Sequence, residues 1–245
     1  MSGHSHAANI AAKKAKTDAA KGKIFTKVGR EIAVAAKSNP DPDTNSKLAD
    51  AIAKAKAVNL PNENIKRCIA KAAGELNATN YEELTYEGYG PAGSAVIIKT
   101  LTDNKNRTVD FVRTTMRKHG GSLGNAGCVS FTFSTLGVIV IERTADLEED
   151  VVMEYALEAG ADDFITEDDA FVVHTAPANF SAVRKFLEEK GLNFFEAQVE
   201  MVPQNVVTLG AEDLAKFQKL VAALEDLDDV QNVYHNVDLP EDEEE

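Results

Sequence analysis

The middle of this chain predicts an unbroken order of secondary structure, β-α-β-β-α-β, between residues 135 and 205. Short runs rich in β-branched and aromatic residues predict strands at residues 137–142, 162–166, 171–175 and 195–202. Apolar residues at helical spacing predict helices at residues 146–159 and 178–190. This order is typical of the ferredoxin-like unit, so residues 135–205 are expected to fold as a domain of their own.

The segments on either side of this unit predict a second α/β domain. Before it, the pattern indicates strands at residues 95–98 and 128–133 and a helix at 108–118. After it, the pattern indicates a helix at residues 211–224 and a strand at 230–237. These pieces can complete one sheet, which predicts a domain made of residues 79–134 and 206–240 with residues 135–205 inserted. Residues 241–245 form an acidic tail that we expect to be solvated.

The first 78 residues predict only helices. Apolar residues recur at helical spacing in three stretches: Phe25, Val28, Ile32 and Ala36; Leu48, Ile52, Ala55 and Val58; Ile65, Ile69 and Ala72. Each apolar stripe is narrow, so each helix needs neighbours, and a small helical bundle is the simplest solution. The predicted fold class is therefore α+β: a helical bundle over residues 1–78, then two ferredoxin-like domains, one inserted in the other.

Charge divides along the same boundary. Residues 1–78 contain 14 Lys and Arg against 7 Asp and Glu, whereas residues 79–245 contain 12 against 33. The chain is therefore acidic as a whole, at −14, yet its first third is basic. Clustered Lys and Arg on one module are typical of a protein that binds a polyanion. The alternatives are an ordinary solvated helical surface and a disordered amino-terminal end.

The candidate nucleic-acid-binding residues are the cations of this basic segment and the polar side chains of its amino-terminal arm. They are His4, Ser5, His6, Asn9, Lys13, Lys14, Lys16, Lys21, Lys23, Lys27, Arg30, Lys54, Lys66, Arg67 and Lys71. Few of these side chains suit bidentate reading of a base edge, so recognition of backbone and shape is favoured over strict sequence reading.

Two loops of the second domain are candidate functional loops. Residues 88–93 spell G-x-G-x-x-G, but a proline interrupts them and a strand follows, so a hairpin turn is favoured over a dinucleotide site. Residues 103–108 lie between a strand and a helix, where a turn and a phosphate-facing loop are both possible. The candidates in these loops are Tyr89, Gly90, Pro91, Asn104, Lys105, Asn106 and Arg107.

Nothing in the sequence predicts catalysis, a metal or a cofactor. No grouping of His, Cys, Ser or acidic residues has the spacing of a catalytic or metal site. His119-Gly120-Gly121 is expected to end a helix, and Cys68 and Cys128 are expected to be free thiols in a reducing cytoplasm. No run of apolar residues is long enough for a membrane span. We expect a cytoplasmic protein without a membrane partner, and a monomer is favoured.

Several longer motifs resemble the YebC/PmpR family, which includes the mitochondrial translational activator of cytochrome c oxidase subunit one. They are Gly3-His4-Ser5, Ala8-Asn9-Ile10, Gly22 to Lys27, Arg30-Glu31-Ile32, Tyr86 to Pro91, Thr102 to Thr108 and Lys118 to Gly124. The resemblance covers essentially the whole chain. It implies the same three-part fold and a non-enzymatic regulator of gene expression.

The resemblance leaves the target open. Many members of the family are described as DNA-binding transcriptional regulators, while others associate with ribosomes and relieve stalling at stretches such as consecutive prolines. A scaffold whose acidic domains bind basic proteins is a third possibility. The chain has His6-Ala7 where many members have Lys-Trp, which removes an aromatic ring that could stack on a base. It also has Ala92 where many members have glycine.

Overall fold

The computed structural model describes residues 18–74 and 80–239. The first of these stretches contains three helices: α1 (Asp18–Ser38), α2 (Ser46–Ala57) and α3 (Asn62–Gly74). Asn45 begins α2, since its side-chain oxygen accepts a hydrogen bond from the backbone N–H of Leu48 at 3.2 Å. The predicted apolar stripes meet in one core, formed by Val28, Ile32, Ala36, Leu48, Ala51, Ala55, Leu60 and Ile65.

The inserted segment folds as its sequence pattern predicts. It contains β4 (Phe133–Glu142), α5 (Glu149–Ala159), β5 (Asp163–Thr166), β6 (Ala170–Thr175), α6 (Phe180–Glu189) and β7 (Phe194–Pro203). The sheet order is β5-β6-β4-β7, and β6 pairs antiparallel with both β4 and β5. This is the strand order of the ferredoxin-like unit. Both helices pack on one face of the sheet, around Ile139, Val152, Phe171, Val183 and Leu187.

The second sheet also has four strands. Its elements are β1 (Glu82–Tyr89), β2 (Ala95–Thr102), α4 (Lys105–Lys118), β3 (Ser122–Leu123), α7 (Ala211–Glu225) and β8 (Val230–His235). The strand order is β3-β1-β2-β8, with antiparallel neighbours throughout. Helices α4 and α7 cover one face around Val96, Ile98, Met116 and Phe217, whereas Ile97 and Phe133 lie in a smaller cluster on the other. The chain is therefore an α+β protein with two antiparallel sheets.

The described residues divide into two compact units. The first draws on the chain up to Ala73 and on Thr135–Glu200, and so contains α1 to α3 and the helices of the inserted sheet. The second comprises Gly74–Ser134 and Met201–Leu239 and contains the β3-β1-β2-β8 sheet. Among the helices of residues 18–74 and 80–239, none combines the length and apolar character that a bilayer crossing requires.

One predicted element is wrong. Residues 128–133 alternate like a half-buried strand, but they form a loop and a single turn of 3-10 helix at Ser130–Thr132, and β4 begins only at Phe133. The reason is a side chain from β1. The carboxylate of Glu87 accepts hydrogen bonds from the backbone N–H groups of Gly127 at 2.8 Å, Val129 at 3.0 Å and Ser130 at 2.8 Å. These backbone donors are therefore used by a carboxylate rather than by a strand ladder.

Candidate nucleic-acid interface

Helix α3 presents three exposed cations. Its apolar side, with Ile65 buried, faces the bundle core, while Lys66, Arg67 and Lys71 are exposed on the outward side. Lys66 lies 3.6 Å from Glu63, but the two side chains are 75% and 85% exposed, so this pair is weak. Within the described stretches, Arg67 donates only to the side chain of Asn64, at 3.3 Å. All three cations can therefore approach a phosphate at little cost in desolvation.

Helix α1 contributes four of the predicted cations, which differ from those of α3 in exposure and in their interaction partners. Lys21 and Lys23 are exposed, whereas Lys27 and Arg30 are half-buried, and all four have interaction partners in the structure. Lys54 of α2 has a different role, because its ammonium group lies 2.9 Å from the Glu31 carboxylate and both side chains are mostly covered. This ion pair joins α1 to α2, so Lys54 stabilises the contact between these two helices.

Three further cations of the basic segment are exposed, and the sequence pattern did not single them out. Lys37 lies on α1, and Lys47 and Lys56 lie on α2. Predicted residues of the amino-terminal arm, on the other hand, lie outside the described part of the chain: His4, Ser5, His6, Asn9, Lys13, Lys14 and Lys16.

A buried arginine fixes the bundle within its unit. Arg184 of α6 has a side chain only 8% exposed, and its Nε donates to Asp50 of α2 at 3.0 Å. The same guanidinium donates to Glu188 at 2.8 Å, and the Ser181 hydroxyl donates to the second oxygen of Asp50. Because burying an arginine is favourable only when its charge is compensated, these contacts hold α2, and with it the bundle, against α6.

The loop at residues 103–107 is held by an internal ion pair. Arg107 lies 2.8 Å from Asp229 and also 2.8 Å from Asp103, and the side chain of Asp229 is only 8% exposed. The hydrogen bonds to Asp229 and Asp103 raise the pKa of Arg107. The hydroxyl of Thr108 donates to the same Asp229 carboxylate at 2.8 Å. Arg107 thus neutralises a buried acid, and its guanidinium group is held by two carboxylates in this arrangement.

The other loop residues divide between capping and exposure. The Asn104 side chain accepts from the backbone N–H of Arg107 at 3.1 Å and so begins α4 three residues before the predicted start. Lys105 and Asn106 are exposed on the first turn of that helix. Of this loop, these two side chains remain open to a partner.

The β1–β2 hairpin is tightly packed at its end, as the rejection of a dinucleotide site predicts. A Cβ on Gly90 would lie 2.6 Å from the Ser94 hydroxyl and 3.2 Å from the ring of Phe217. Pro91 is buried, and the turn is closed by a hydrogen bond from the Ser94 hydroxyl to the Pro91 carbonyl at 2.9 Å. Tyr89 is 41% exposed, and its hydroxyl donates to the Cys128 carbonyl. Gly90 and Pro91 therefore shape the turn, and Tyr89 is the accessible side chain.

Glu87 is a buried acid that the sequence analysis missed. Burial by itself raises its pKa, but the N–H groups of Val129, Gly127 and Ser130 and the Ser130 hydroxyl outweigh burial and hold the pKa below its ordinary value. No sequence signal marks this contact, because 40 or more residues separate Glu87 from the amides it binds.

The thiol near this carboxylate is poorly suited to nucleophilic chemistry. Burial raises the pKa of Cys128, and the negative charge of Glu87 raises it further, so the reactive thiolate is disfavoured at neutral pH. Within the two described stretches, no three His, Cys, Asp or Glu side chains are grouped as a metal ion would require. The described arrangement therefore offers accessible cations and packed loops.

Comparison with known families covers nearly the whole chain. Residues 5–75 match the family described as "TACO1/YebC protein N-terminal domain", and residues 81–237 match the one described as "TACO1/YebC second and third domain".

Two curated relatives and one crystal structure are similar over almost their full lengths. A protein of Hathewaya histolytica is 55% identical over 242 residues, which cover 98% of both chains. One of Acetivibrio thermocellus is 59% identical over 238 residues, 96% of this chain and 98% of that one. Both are named probable transcriptional regulatory proteins. The crystal structure of a conserved hypothetical protein from Aquifex aeolicus superposes with a TM-score of 0.83 at 42% identity and covers 94% of this chain and 95% of that one.

Proposed function

Because the chain belongs to the TACO1/YebC family, we propose that it is a non-enzymatic regulator of gene expression that binds DNA through the cations of its helical bundle. The names of the two relatives as probable transcriptional regulatory proteins support the regulatory part of this proposal. The DNA-binding part rests on one observation, the exposed cations Lys66, Arg67 and Lys71 on the outward side of α3.

The charge distribution supports the bundle as the point of contact. The basic first third attracts phosphate, while the acidic remainder repels it, so the bundle approaches a nucleic acid first. Each phosphate that a lysine or arginine neutralises on duplex DNA releases counterions and adds about 0.9 to the steepness of the salt dependence. The free thiols Cys68 and Cys128 fit a reducing compartment, and the proposal includes a cytoplasmic location.

Crosslinking in cells tests the proposal. The wild-type chain and the variant K66Q/R67Q/K71Q are crosslinked to nucleic acid, recovered, and the attached nucleic acid is sequenced. We expect promoter DNA with the wild type and a marked loss with the variant. The control is K216Q/K219Q, which removes two exposed cations from helix α7 and is expected to recover DNA like the wild type. Recovery of ribosomal RNA without DNA would contradict the proposal and favour a ribosome-associated translation factor.

A further inference from the structure

Helix α4 is strongly basic within the acidic part of the chain. Its 14 residues contain five of the 12 Lys and Arg residues of positions 79–245 and a single acid, Asp110. The helix dipole accounts for part of this charge, because Arg117 and Lys118 lie in the last turn, where cations are favourable. The first turn of α4 contains Lys105 but no acidic residue, although the positive end of the helix dipole disfavours a cation there.

Most of these cations are accessible. Arg113, Arg117 and Lys118 are exposed, as is Lys105. Arg113 lies 3.3 Å from Asp110, but these side chains are 59% and 72% exposed, so the pair is weak. Throughout residues 18–74 and 80–239, no acidic side chain forms an ion pair with Lys105, Arg117 or Lys118. Their charge is therefore available to a partner.

An aromatic ring lies on the same outward side of the helix. Phe111 is 52% exposed, whereas Val112 and Met116 are fully buried on the opposite side against the sheet. Arg113 and Arg117 are one turn apart on one flank of the outward side, and Phe111 and Lys118 are two turns apart on the other. The outward side therefore has cations on both flanks and an exposed ring on one of them. Proteins that bind single-stranded nucleic acid use these two kinds of group: phosphates contact the cations and a base stacks on the ring.

We propose that the outward side of α4 is a second nucleic-acid contact, which binds a single-stranded segment through Arg113, Arg117 and Lys118 and stacks a base on Phe111. The inference rests on the proposed function, since it assumes that the chain meets nucleic acid at all. It adds the class of ligand. Bases inside a duplex are already stacked and cannot lie on Phe111, so the surface prefers an unpaired strand, whether melted DNA or RNA.

The test is a fluorescence titration of the purified full chain with labelled oligothymidylate, oligouridylate and a DNA duplex at several salt concentrations. R117Q/K118Q is compared with K216Q/K219Q, which removes the same number of charges from an acidic helix of the same unit. On single strands, we expect R117Q/K118Q to reduce the steepness of the salt dependence by about 1.4 and K216Q/K219Q to leave it unchanged.

Phe111→Ala tests the stacking part. We expect this variant to bind single strands at least about fivefold more weakly and to bind the duplex like the wild type. Oligothymidylate represents melted DNA, and oligouridylate represents RNA. Equal losses of affinity for both indicate that the surface recognises the phosphate and base chemistry that the two share, whereas a loss for one alone identifies the kind of strand that binds. Thermal unfolding monitored by circular dichroism verifies that each variant is folded, which is expected because all the substituted side chains are exposed.

The bundle variant K66Q/R67Q/K71Q separates the two proposals. If it loses duplex binding while R117Q/K118Q and Phe111→Ala bind single strands like the wild type, the α4 contact is wrong and the bundle contact stands. If R117Q/K118Q and Phe111→Ala lose binding to single strands while K66Q/R67Q/K71Q binds the duplex like the wild type, the bundle contact is wrong and the α4 contact stands. If the wild type binds no oligonucleotide, both fail. Polyglutamate is the test for an acidic protein partner. If the chain binds polyglutamate, and this binding requires Arg117 and Lys118 but not Phe111, the partner of α4 is an acidic protein and the inference is wrong.

Discussion

The cations of α3 and the arginine of the β2–α4 loop are similar residues that differ in exposure and in the strength of their ion pairs. Lys66, Arg67 and Lys71 are exposed and weakly paired. Arg107, by contrast, is held by Asp103 and by the buried Asp229. A cation of the first kind contributes little to the fold and is accessible to a partner, whereas one of the second kind is held by carboxylates and stabilises the fold. Substitutions should therefore affect folding at one site and binding at the other.

Arg107→Ala should have the largest effect on stability. It removes the guanidinium partner of Asp229 while Thr108 still donates to that carboxylate, and leaving a buried acid without its cation costs about 3 kcal/mol. Chemical denaturation measures the loss. Arg107→Lys should recover part of it, because a lysine keeps the charge but cannot form the bidentate contact. The exposed Arg113→Ala should cost less than about 0.5 kcal/mol. Equal costs for Arg107→Ala and Arg113→Ala would contradict the structural role.

Glu87→Gln should have the next largest effect, about 2 kcal/mol at neutral pH, since hydrogen bonds to a charged acceptor are lost. The pKa of Glu87 is lowered in the folded chain. Its stabilisation is therefore complete above the ordinary value of 4.5 and is lost as pH falls through the lower folded value.

The difference in unfolding free energy between wild type and Glu87→Gln should accordingly be large at pH 7 and shrink below pH 4.5. Glu83→Gln is the matched control, because Glu83 is an exposed acid on the same strand. A difference that stays constant with pH would show that the Glu87 charge does not hold the loop.

Two neighbouring positions in the hairpin should change stability in opposite directions. Ala92 has a φ of 54° and Gly93 a φ of 76°, both in the left-handed region. Ala92→Gly removes the steric penalty of a Cβ there and should stabilise by about 0.5 kcal/mol. Gly93→Ala adds that penalty with no atom within 4 Å of the new Cβ, and should destabilise by about 1 kcal/mol. Thermal unfolding of both variants measures the direction of each change in stability. A change in the same direction for both would contradict backbone strain at Ala92.

The bundle variant K66Q/R67Q/K71Q should have the smallest effect on stability. The three side chains are exposed and make no strong ion pair with any residue that the structure describes, so the change in unfolding free energy should stay within about 0.5 kcal/mol. Denaturation under the conditions of the binding assay measures it. A loss comparable to that of Arg107→Ala would mean that these cations support the bundle rather than bind.

The fold was largely predictable because local patterns determine it. The β-α-β-β-α-β order between residues 135 and 205, the three helical stripes of the bundle and the helix end at Gly120 all follow from apolar spacing and turn residues. Residues 128–133 were predicted wrongly because Glu87, distant in sequence, binds their amides and overrides a strand-like alternation. A single sequence contains no signal for such a contact.

The binding surface was harder to predict because a sequence shows how many charged residues a segment contains but not which of them form ion pairs in the fold. The basic segment was visible, and its place in the bundle follows from the apolar stripes. The sequence could not tell that Lys54 pairs with Glu31 or that Arg107 pairs with Asp229. The cations of α4 were also hidden in the net charge of the acidic part of the chain, and only the structure shows that they are exposed on the same helix as Phe111.

The most direct test of the bundle contact is a titration of duplex DNA with the wild type and K66Q/R67Q/K71Q across a range of salt. If α3 contacts three phosphates, the plot of log affinity against log salt concentration should become less steep by about 2.7 in the variant. K216Q/K219Q should reproduce the wild-type slope. An unchanged slope in K66Q/R67Q/K71Q, with the protein still folded, would show that α3 does not bind DNA.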